Sequence, residues 1–87
     1  MTRDDIAATL RPLLAELLSR PVAEITDTAA FYDDFAVDSF DEVVVEMMVE
    51  EHFDVEFFTD EVFPETVGGL IDRIDGKLER GSVKGAA

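Results

Sequence analysis

A serine between an acidic and an aromatic residue is the position in this chain best placed for covalent chemistry. Asp38-Ser39-Phe40 ends a long segment of mixed polar and apolar residues and opens a stretch, 39–53, with helical spacing and many acids. The first turn of a helix has free N–H groups and a partial positive charge, so a phosphate placed there is stabilised. Ser39 is therefore a candidate carrier of a negatively charged group, although a serine at a helix start more often serves only as an N-cap.

The composition limits what this serine could do chemically. The chain has 87 residues, which suits one small domain, and a hydrophobic fraction of 47%, which is ordinary for a folded core. It has no cysteine, so disulfides and cysteine-ligated metals are excluded. Any thioester chemistry would need a thiol that is added to the chain afterwards.

The chain is strongly acidic. Its 7 Lys and Arg stand against 21 Asp and Glu, for a net charge of −14 at pH 7. Such a charge disfavours contact with nucleic acids and anionic membranes and favours encounters with basic protein surfaces, although it could also serve solubility alone. No segment is apolar enough to span a bilayer and no signal-peptide pattern is visible at the start, so we expect a cytoplasmic monomer.

Helical periodicity predicts an all-α fold. Apolar residues recur at helical spacing over about 3–18 and predict a first helix, started by a capping box between Thr2 and Asp5. Pro12 should either kink this helix or mark its true start.

The remaining elements complete a small four-helix bundle with three main helices and a short one. In chain order we expect a second main helix over about 39–53, capped by Asp38 or Ser39, and an extended stretch over 54–58. A short turn of helix over 59–63 and a last helix, capped by Thr66 and ending near residue 80, should follow. A single domain would then cover 1–80, and a flexible tail would cover 81–87.

The segment 19–38 shows neither helical nor strand regularity and is predicted to be a long loop. Loops of this length are unusual in small domains and are often functional. Its apolar side chains are expected to anchor it to the core: Val22, Ile25, Phe31, Tyr32 and Phe35.

Two apolar stripes run along the predicted second helix: Val45, Val49 and Phe53 in one, and Phe40, Val44, Met47 and Met48 in the other. One stripe is enough to dock a helix on a small core, so the second, flanked by acids, indicates a patch for transient protein contacts. The alternative is that the bundle buries both stripes, and the sequence leaves these two possibilities open.

The stretch 31–40 resembles the phosphopantetheine-attachment region of acyl and peptidyl carrier proteins. The family pattern there is roughly an acid, Leu, Gly, any residue, Asp, Ser and Leu, and this chain has Asp-Phe-Ala-Val-Asp-Ser-Phe over 34–40. The resemblance continues through 49–55 and the Thr66-Val67 pair, and it covers about residues 3–80 in length, spacing and charge.

The resemblance implies that Ser39, with Asp38 beside it, accepts 4′-phosphopantetheine from coenzyme A through a phosphopantetheinyl transferase. The thiol of that arm would hold an acyl or aminoacyl group as a thioester. The helix over 39–53 would dock on acyl-loading, condensing or tailoring enzymes with basic patches. The residues implied in this contact are Phe40, Asp41, Val44, Glu46, Met47, Met48, Glu50 and Glu51.

Three departures from the family pattern matter. Phe40 replaces the usual Leu, and Val44 occupies a position where an acid is frequent. Ala36 stands where Gly is usual, so the backbone there must avoid a positive φ or accept strain. Together these departures favour a dedicated pathway over a housekeeping role in fatty-acid synthesis.

We therefore expect a non-catalytic acyl carrier that works with separate enzymes in fatty-acid, polyketide or other specialised assembly. The alternatives are an aminoacyl carrier of nonribosomal peptide synthesis and, from a different class, an unmodified acidic interaction module. No metal or catalytic site is expected, because His52 is the only histidine and the acids over 33–42 lack the spacing of a calcium loop.

Overall fold

The computed structural model describes residues 1–57 and 61–80, and within these ranges the chain is helical. Its α-helices are α1 over Arg3–Leu18, α2 over Phe31–Phe35, α3 over Ser39–Phe53 and α4 over Val67–Arg80. The described residues form no strand longer than an isolated bridge, and no described helix is long and apolar enough to cross a membrane. The prediction of an all-α bundle with three main helices and a short one is confirmed.

The first helix begins where the capping box placed it. The Thr2 hydroxyl accepts a hydrogen bond from the Asp5 N–H at 3.1 Å, and the Thr2 N–H donates to the Asp5 carboxylate at 3.0 Å. Pro12 lies in the middle of α1, so it does not mark the start of the helix. Its side chain is exposed. The carbonyl four residues earlier belongs to Ala8, which is also exposed, so water can replace the hydrogen bond that proline cannot make.

The three long helices enclose one apolar core. α1 packs against α4, α3 and the segment that follows α1. Each long helix contributes aliphatic side chains that lose all contact with water: Ile6, Leu10 and Leu14 from α1, Val45 and Val49 from α3, and Val67, Leu70, Ile71 and Ile74 from α4. Burial of this surface is the main force that holds α3 in a fixed orientation.

The segment predicted to be a long loop has more regular structure than its sequence indicated. A 3-10 turn covers Val22–Glu24, and α2 lies within the same segment. Ile25, Phe31 and Phe35 are buried as expected.

The anchor prediction was wrong for the other two residues of the loop. Val22 is 53% exposed and Tyr32 is 78% exposed. Because adjacent residues on a helix lie about 100° apart, Tyr32 points to water when Phe31 points to the core.

The short helix was expected in the wrong place. Residues 59 and 60 lie outside the described residues, and the described part of that stretch, 61–63, is not helical. Pro64 disfavours helical geometry at the residue before it. The short helix is α2 instead, where the Asp34 carboxylate accepts a hydrogen bond from the Ala30 N–H at 2.6 Å.

Asp27 connects three parts of the fold through ion pairs. Its carboxylate pairs with Arg11 and, at 3.1 Å, with Arg3, whose guanidinium also reaches Asp72 on α4 at 2.6 Å. The hydrogen bond from Arg11 is the main reason that the pKa of Asp27 is lowered; partial burial opposes this effect and Arg3 adds to it.

We expect Asp27→Asn to destabilise the fold by about 1 kcal/mol at pH 7, since it weakens two partly exposed ion pairs. A carboxyl whose folded-state pKa is lowered stabilises the fold above its unfolded-state pKa of about 4, and this contribution disappears as the pH falls through the folded-state value. Urea unfolding of both proteins from pH 7 to pH 2.5 should therefore give a stability difference that shrinks below about pH 4. A difference that stays constant over this range would contradict the ion-pair explanation.

Candidate functional site

The N-terminus of α3 is fixed by Asp38 and not by Ser39. The Asp38 carboxylate accepts a hydrogen bond from the Asp41 N–H at 2.9 Å, and the Asp38 N–H donates to the Asp41 carboxylate at 3.2 Å. Asp38 has the extended backbone of an N-cap residue, so Ser39 is the first residue inside the helix. Of the two residues that the sequence offered as the cap, Asp38 therefore fills the role.

This arrangement leaves Ser39 available for modification. Its side chain is exposed and makes no hydrogen bond within the described part of the chain. The backbone N–H groups of Ser39 and Phe40 also have no partner among the described residues, since the cap uses the N–H groups of Asp41 and Glu42. A phosphodiester on Ser39 would therefore meet free donors and the positive end of the helix dipole.

The backbone just before Ser39 is strained at Ala36, which does not avoid a positive φ. Ala36 ends α2 with φ 53° and ψ 38°, which is left-handed geometry. The turn is closed by hydrogen bonds from the Ala36 N–H to the Tyr32 carbonyl and from the Val37 N–H to the Phe31 carbonyl, each 3.0 Å long. This turn carries the chain from α2 to Asp38, so it sets the position of Ser39.

We expect Ala36→Gly to stabilise the protein by about 1 kcal/mol, because glycine adopts a positive φ without the steric cost that a Cβ adds. Ala8→Gly is the matched control: Ala8 is exposed within α1, and there the same substitution should destabilise by about 1 kcal/mol. The measurement is the urea midpoint of both variants and the wild type. Shifts of the same sign in both variants would contradict the explanation.

The two apolar stripes of α3 differ in their exposure to solvent. Val45, Val49 and Phe53 are buried, and they attach the helix to the core. In the other stripe, Phe40 is 73% and Met47 is 62% exposed. The alternative that the bundle buries both stripes is therefore wrong for this second stripe, although Val44 and Met48 in it are half-buried.

Val43 also belongs to the exposed face of α3, which the two stripes did not predict. Val43 is 52% exposed and lies three residues after Phe40 and four before Met47, so the three side chains share one face of α3. The i, i+3, i+7 spacing was visible in the sequence. The sequence did not show which of the two adjacent valines, Val43 or Val44, faces away from α1 and the core.

The acids expected on this face have different surroundings. Glu51 is exposed, whereas the carboxylate of Asp41 takes part in the helix cap. Glu50 is half-buried and accepts a hydrogen bond from the Phe57 N–H at 2.9 Å, so its carboxylate lies toward the segment that follows α3. Only part of the negative charge of α3 is therefore free to meet a partner.

Glu46 lies close enough to other carboxylates to be affected by their charges. Burial, followed by the charges of Glu42, Glu50 and Glu61, raises the pKa of Glu46, and Arg73 opposes this shift. A raised pKa means that the ionised carboxylate destabilises the folded state at neutral pH. A positive charge brought next to Glu46 by a partner would relieve this repulsion.

His52 lies near the end of α3 and is exposed, beside a groove lined by Leu13, Leu17 and Met48. Among residues 1–57 and 61–80, no group of three or more His, Asp or Glu side chains is arranged to hold a metal ion. The described geometry around Ser39 suits a covalent anionic group.

Comparison with known proteins agrees with this geometry. The family model of the phosphopantetheine attachment site matches residues 8–74, which include α2, α3 and most of α4. The match therefore extends over the whole arrangement that positions Ser39.

Curated relatives match over nearly their whole length. The acyl carrier protein of Phenylobacterium zucineum is 33% identical over 75 residues, which are 85% of this chain and 95% of that protein. The acyl carrier protein of an Exiguobacterium species is 32% identical over 79 residues (90% and 100%), and that of Buchnera aphidicola is 31% identical over 78 residues (88% and 99%).

Family membership confirms the prediction of a carrier in place of an enzyme, and it excludes the unmodified interaction module. Proteins of this family interact with a phosphopantetheinyl transferase and with the enzymes of their pathway. The chain belongs to the acyl carrier protein family, and it is a non-catalytic carrier that holds 4′-phosphopantetheine covalently.

Proposed function

We propose that Ser39 is the residue that carries 4′-phosphopantetheine, and that the arm holds acyl intermediates of a fatty-acid, polyketide or specialised-metabolite pathway. The observation that carries the assignment is the exposed Ser39 hydroxyl, without a hydrogen-bond partner among the described residues, at the first position of α3. The thiol of the arm supplies the nucleophile that a chain without cysteine lacks.

Acyl cargo is preferred over aminoacyl cargo because the whole domain is acidic and its relatives are named acyl carrier proteins. The test is intact mass after incubation with coenzyme A and a broad-specificity phosphopantetheinyl transferase. The wild-type protein should gain one phosphopantetheine, and the product should then accept a malonyl or other acyl group from an acyltransferase. Loading by an amino-acid-activating enzyme in preference to any acyltransferase would favour the aminoacyl alternative.

The docking face that we propose for the enzymes of the pathway is the exposed side of α3. Its apolar centre consists of Phe40, Val43 and Met47, with Val44 and Met48 at one edge. Its acidic border consists of Asp41, Glu46, Glu50 and Glu51. Apolar contacts would supply affinity, and the acids would steer the approach of a basic surface.

We expect Val43→Glu to raise the KM of the transferase for this carrier about tenfold, because the change places a charge at the centre of an apolar contact. Val22→Glu is a close control, since Val22 is also a valine, is 53% exposed where Val43 is 52%, and lies on the 3-10 turn outside α3. The measurement is the steady-state rate of phosphopantetheine incorporation against carrier concentration. Equal KM values for the two variants would move the docking face away from the middle of α3.

A further inference from the structure

A second recessed surface lies beside the attachment site, outside the docking face proposed on α3. It is a cavity of about 310 Å³ between α2, the first turn of α3 and the segment before α4. Ligand pockets in proteins start at about this volume, so the cavity suits one side chain more than a whole cofactor. Glu42, which lines it, lies one helical turn from Ser39.

The walls of this cavity are aromatic and its edge is acidic. Tyr32 and Phe63 line it, together with Phe31, whose ring centroid lies 5.0 Å from that of Phe63. Three carboxylates also line it: Asp33, Glu42 and Glu65. None of these three makes an ion pair or a side-chain hydrogen bond within the part of the chain that the structure describes.

The backbone around the cavity is held in place before any partner binds. The Phe31 N–H donates to the Glu65 carbonyl at 3.0 Å, and Ala30 forms a bridge with Thr66. A preformed recess loses little entropy when it is filled. Tyr32 is 78% exposed, so it is not used to build the core.

No cation of the described chain neutralises these carboxylates. The Lys and Arg side chains that the structure describes do not line the cavity, and each already contacts another group: Arg3 and Arg11 at Asp27, Arg20 at Glu24, Arg73 at the Val62 carbonyl, and Lys77 at Glu61. The described part of the chain therefore supplies no positive charge to this recess.

We propose that this recess receives an arginine or lysine side chain of the phosphopantetheinyl transferase, held by the Tyr32 ring and by Asp33, Glu42 and Glu65. The transferase must cover the surface around Ser39 to reach its hydroxyl, and Glu42, which lines the recess, lies one helical turn from that residue. A cation is attracted to the face of an aromatic ring and also forms charge-assisted hydrogen bonds with neighbouring carboxylates. This inference depends on the proposed role of Ser39.

The test measures the dissociation constant of the unmodified carrier and the transferase, with coenzyme A omitted. Two pairs of substitutions change the net charge equally: Asp33→Asn with Glu65→Gln in the recess, and Asp4→Asn with Glu79→Gln on exposed surfaces outside it. We expect the first pair to weaken binding about fivefold to tenfold and the second less than twofold. Tyr32→Ala should weaken binding about threefold without a change in charge.

Equal weakening by the two pairs, with no effect of Tyr32→Ala, would overturn the inference and leave only a general effect of charge. Thermal unfolding of every variant checks that the fold is retained. If the wild-type protein neither binds the transferase nor gains a phosphopantetheine, the proposed function itself fails. If the wild type is modified and the recess variants bind like the controls, only this inference fails.

Discussion

Ser39→Ala should gain no phosphopantetheine under conditions in which the wild-type protein gains one and becomes fully modified. In the reaction the Ser39 Oγ attacks the phosphorus that bears the pantetheine group of coenzyme A. A P–O bond forms to the serine, the bond to the adenosine 3′,5′-diphosphate leaving group breaks, and the hydroxyl proton passes to a base of the transferase. Alanine has no oxygen to form this bond, so the loss is complete.

The same substitution should leave the fold nearly unchanged. The helix cap is made by Asp38 and Asp41, and the Ser39 side chain makes no hydrogen bond within the described residues. We expect a change in unfolding free energy of about 0.5 kcal/mol or less. A folded but unmodifiable variant separates the chemical role of Ser39 from a structural one.

Ser19→Gly is the control for loss of a different serine. Ser19 ends α1 with φ 56°, and glycine adopts this geometry easily, so the control should remain folded and fully modifiable. The measurement is intact mass together with far-UV circular dichroism. Modification of Ser39→Ala would place the attachment on another residue and end the proposal for Ser39.

The largest effect on stability is expected at Lys77, a charged residue within the core. Its side chain is 2% exposed, and its Nζ donates to both carboxylate oxygens of Glu61, at 2.8 and 3.0 Å. The same Nζ lies 5.0 Å from the centre of the Phe57 ring. These contacts connect α4 to Phe57 and Glu61, which precede and follow residues 58–60.

We expect Glu61→Gln to destabilise the protein by about 3 kcal/mol, because it removes a carboxylate that pairs with a buried ammonium group. Small domains of this size are stable by roughly 4–13 kcal/mol, so the loss would be a large share of the total. Lys77→Met should cost less, since Met fills the same apolar path and the Glu61 side chain, 24% exposed, can regain water.

A double-mutant cycle tests whether the two residues act as a pair. The variant with both Lys77→Met and Glu61→Gln should be more stable than Glu61→Gln alone, because neither charge is then left in the core. Urea unfolding gives the four free energies. Additive effects of the two substitutions would show that the ion pair contributes no coupling and would contradict this account.

Lys77 also shows a limit of sequence periodicity. The sequence predicted α4 correctly as a helix that follows Thr66, and the Thr66 hydroxyl accepts a hydrogen bond from the Gly69 N–H at 3.1 Å. The pattern gave no sign that a lysine would be enclosed. Burial of Lys77 depends on Glu61 and Phe57, which belong to a different segment and reach it only in the folded chain.

Features that depend on neighbours along the chain could be predicted from the sequence alone. Capping boxes, apolar periodicity and proline positions involve contacts over a few residues, so α1, α3 and α4 could be placed from them. The position of Ser39 at the start of α3, and its likeness to an attachment site, followed from the same local signals.

Which side chains stay exposed depends on how the helices pack, and this could not be predicted from neighbouring residues. Val43 and Val44 are chemically identical neighbours, and the position of α1 and the core makes one exposed and the other half-buried. Tyr32 and Phe31 differ in the same way, because α2 can turn only one of them inward. The recess beside Ser39 is formed by residues about thirty positions apart, from α2 and from the segment before α4, so it exists only when the chain has folded.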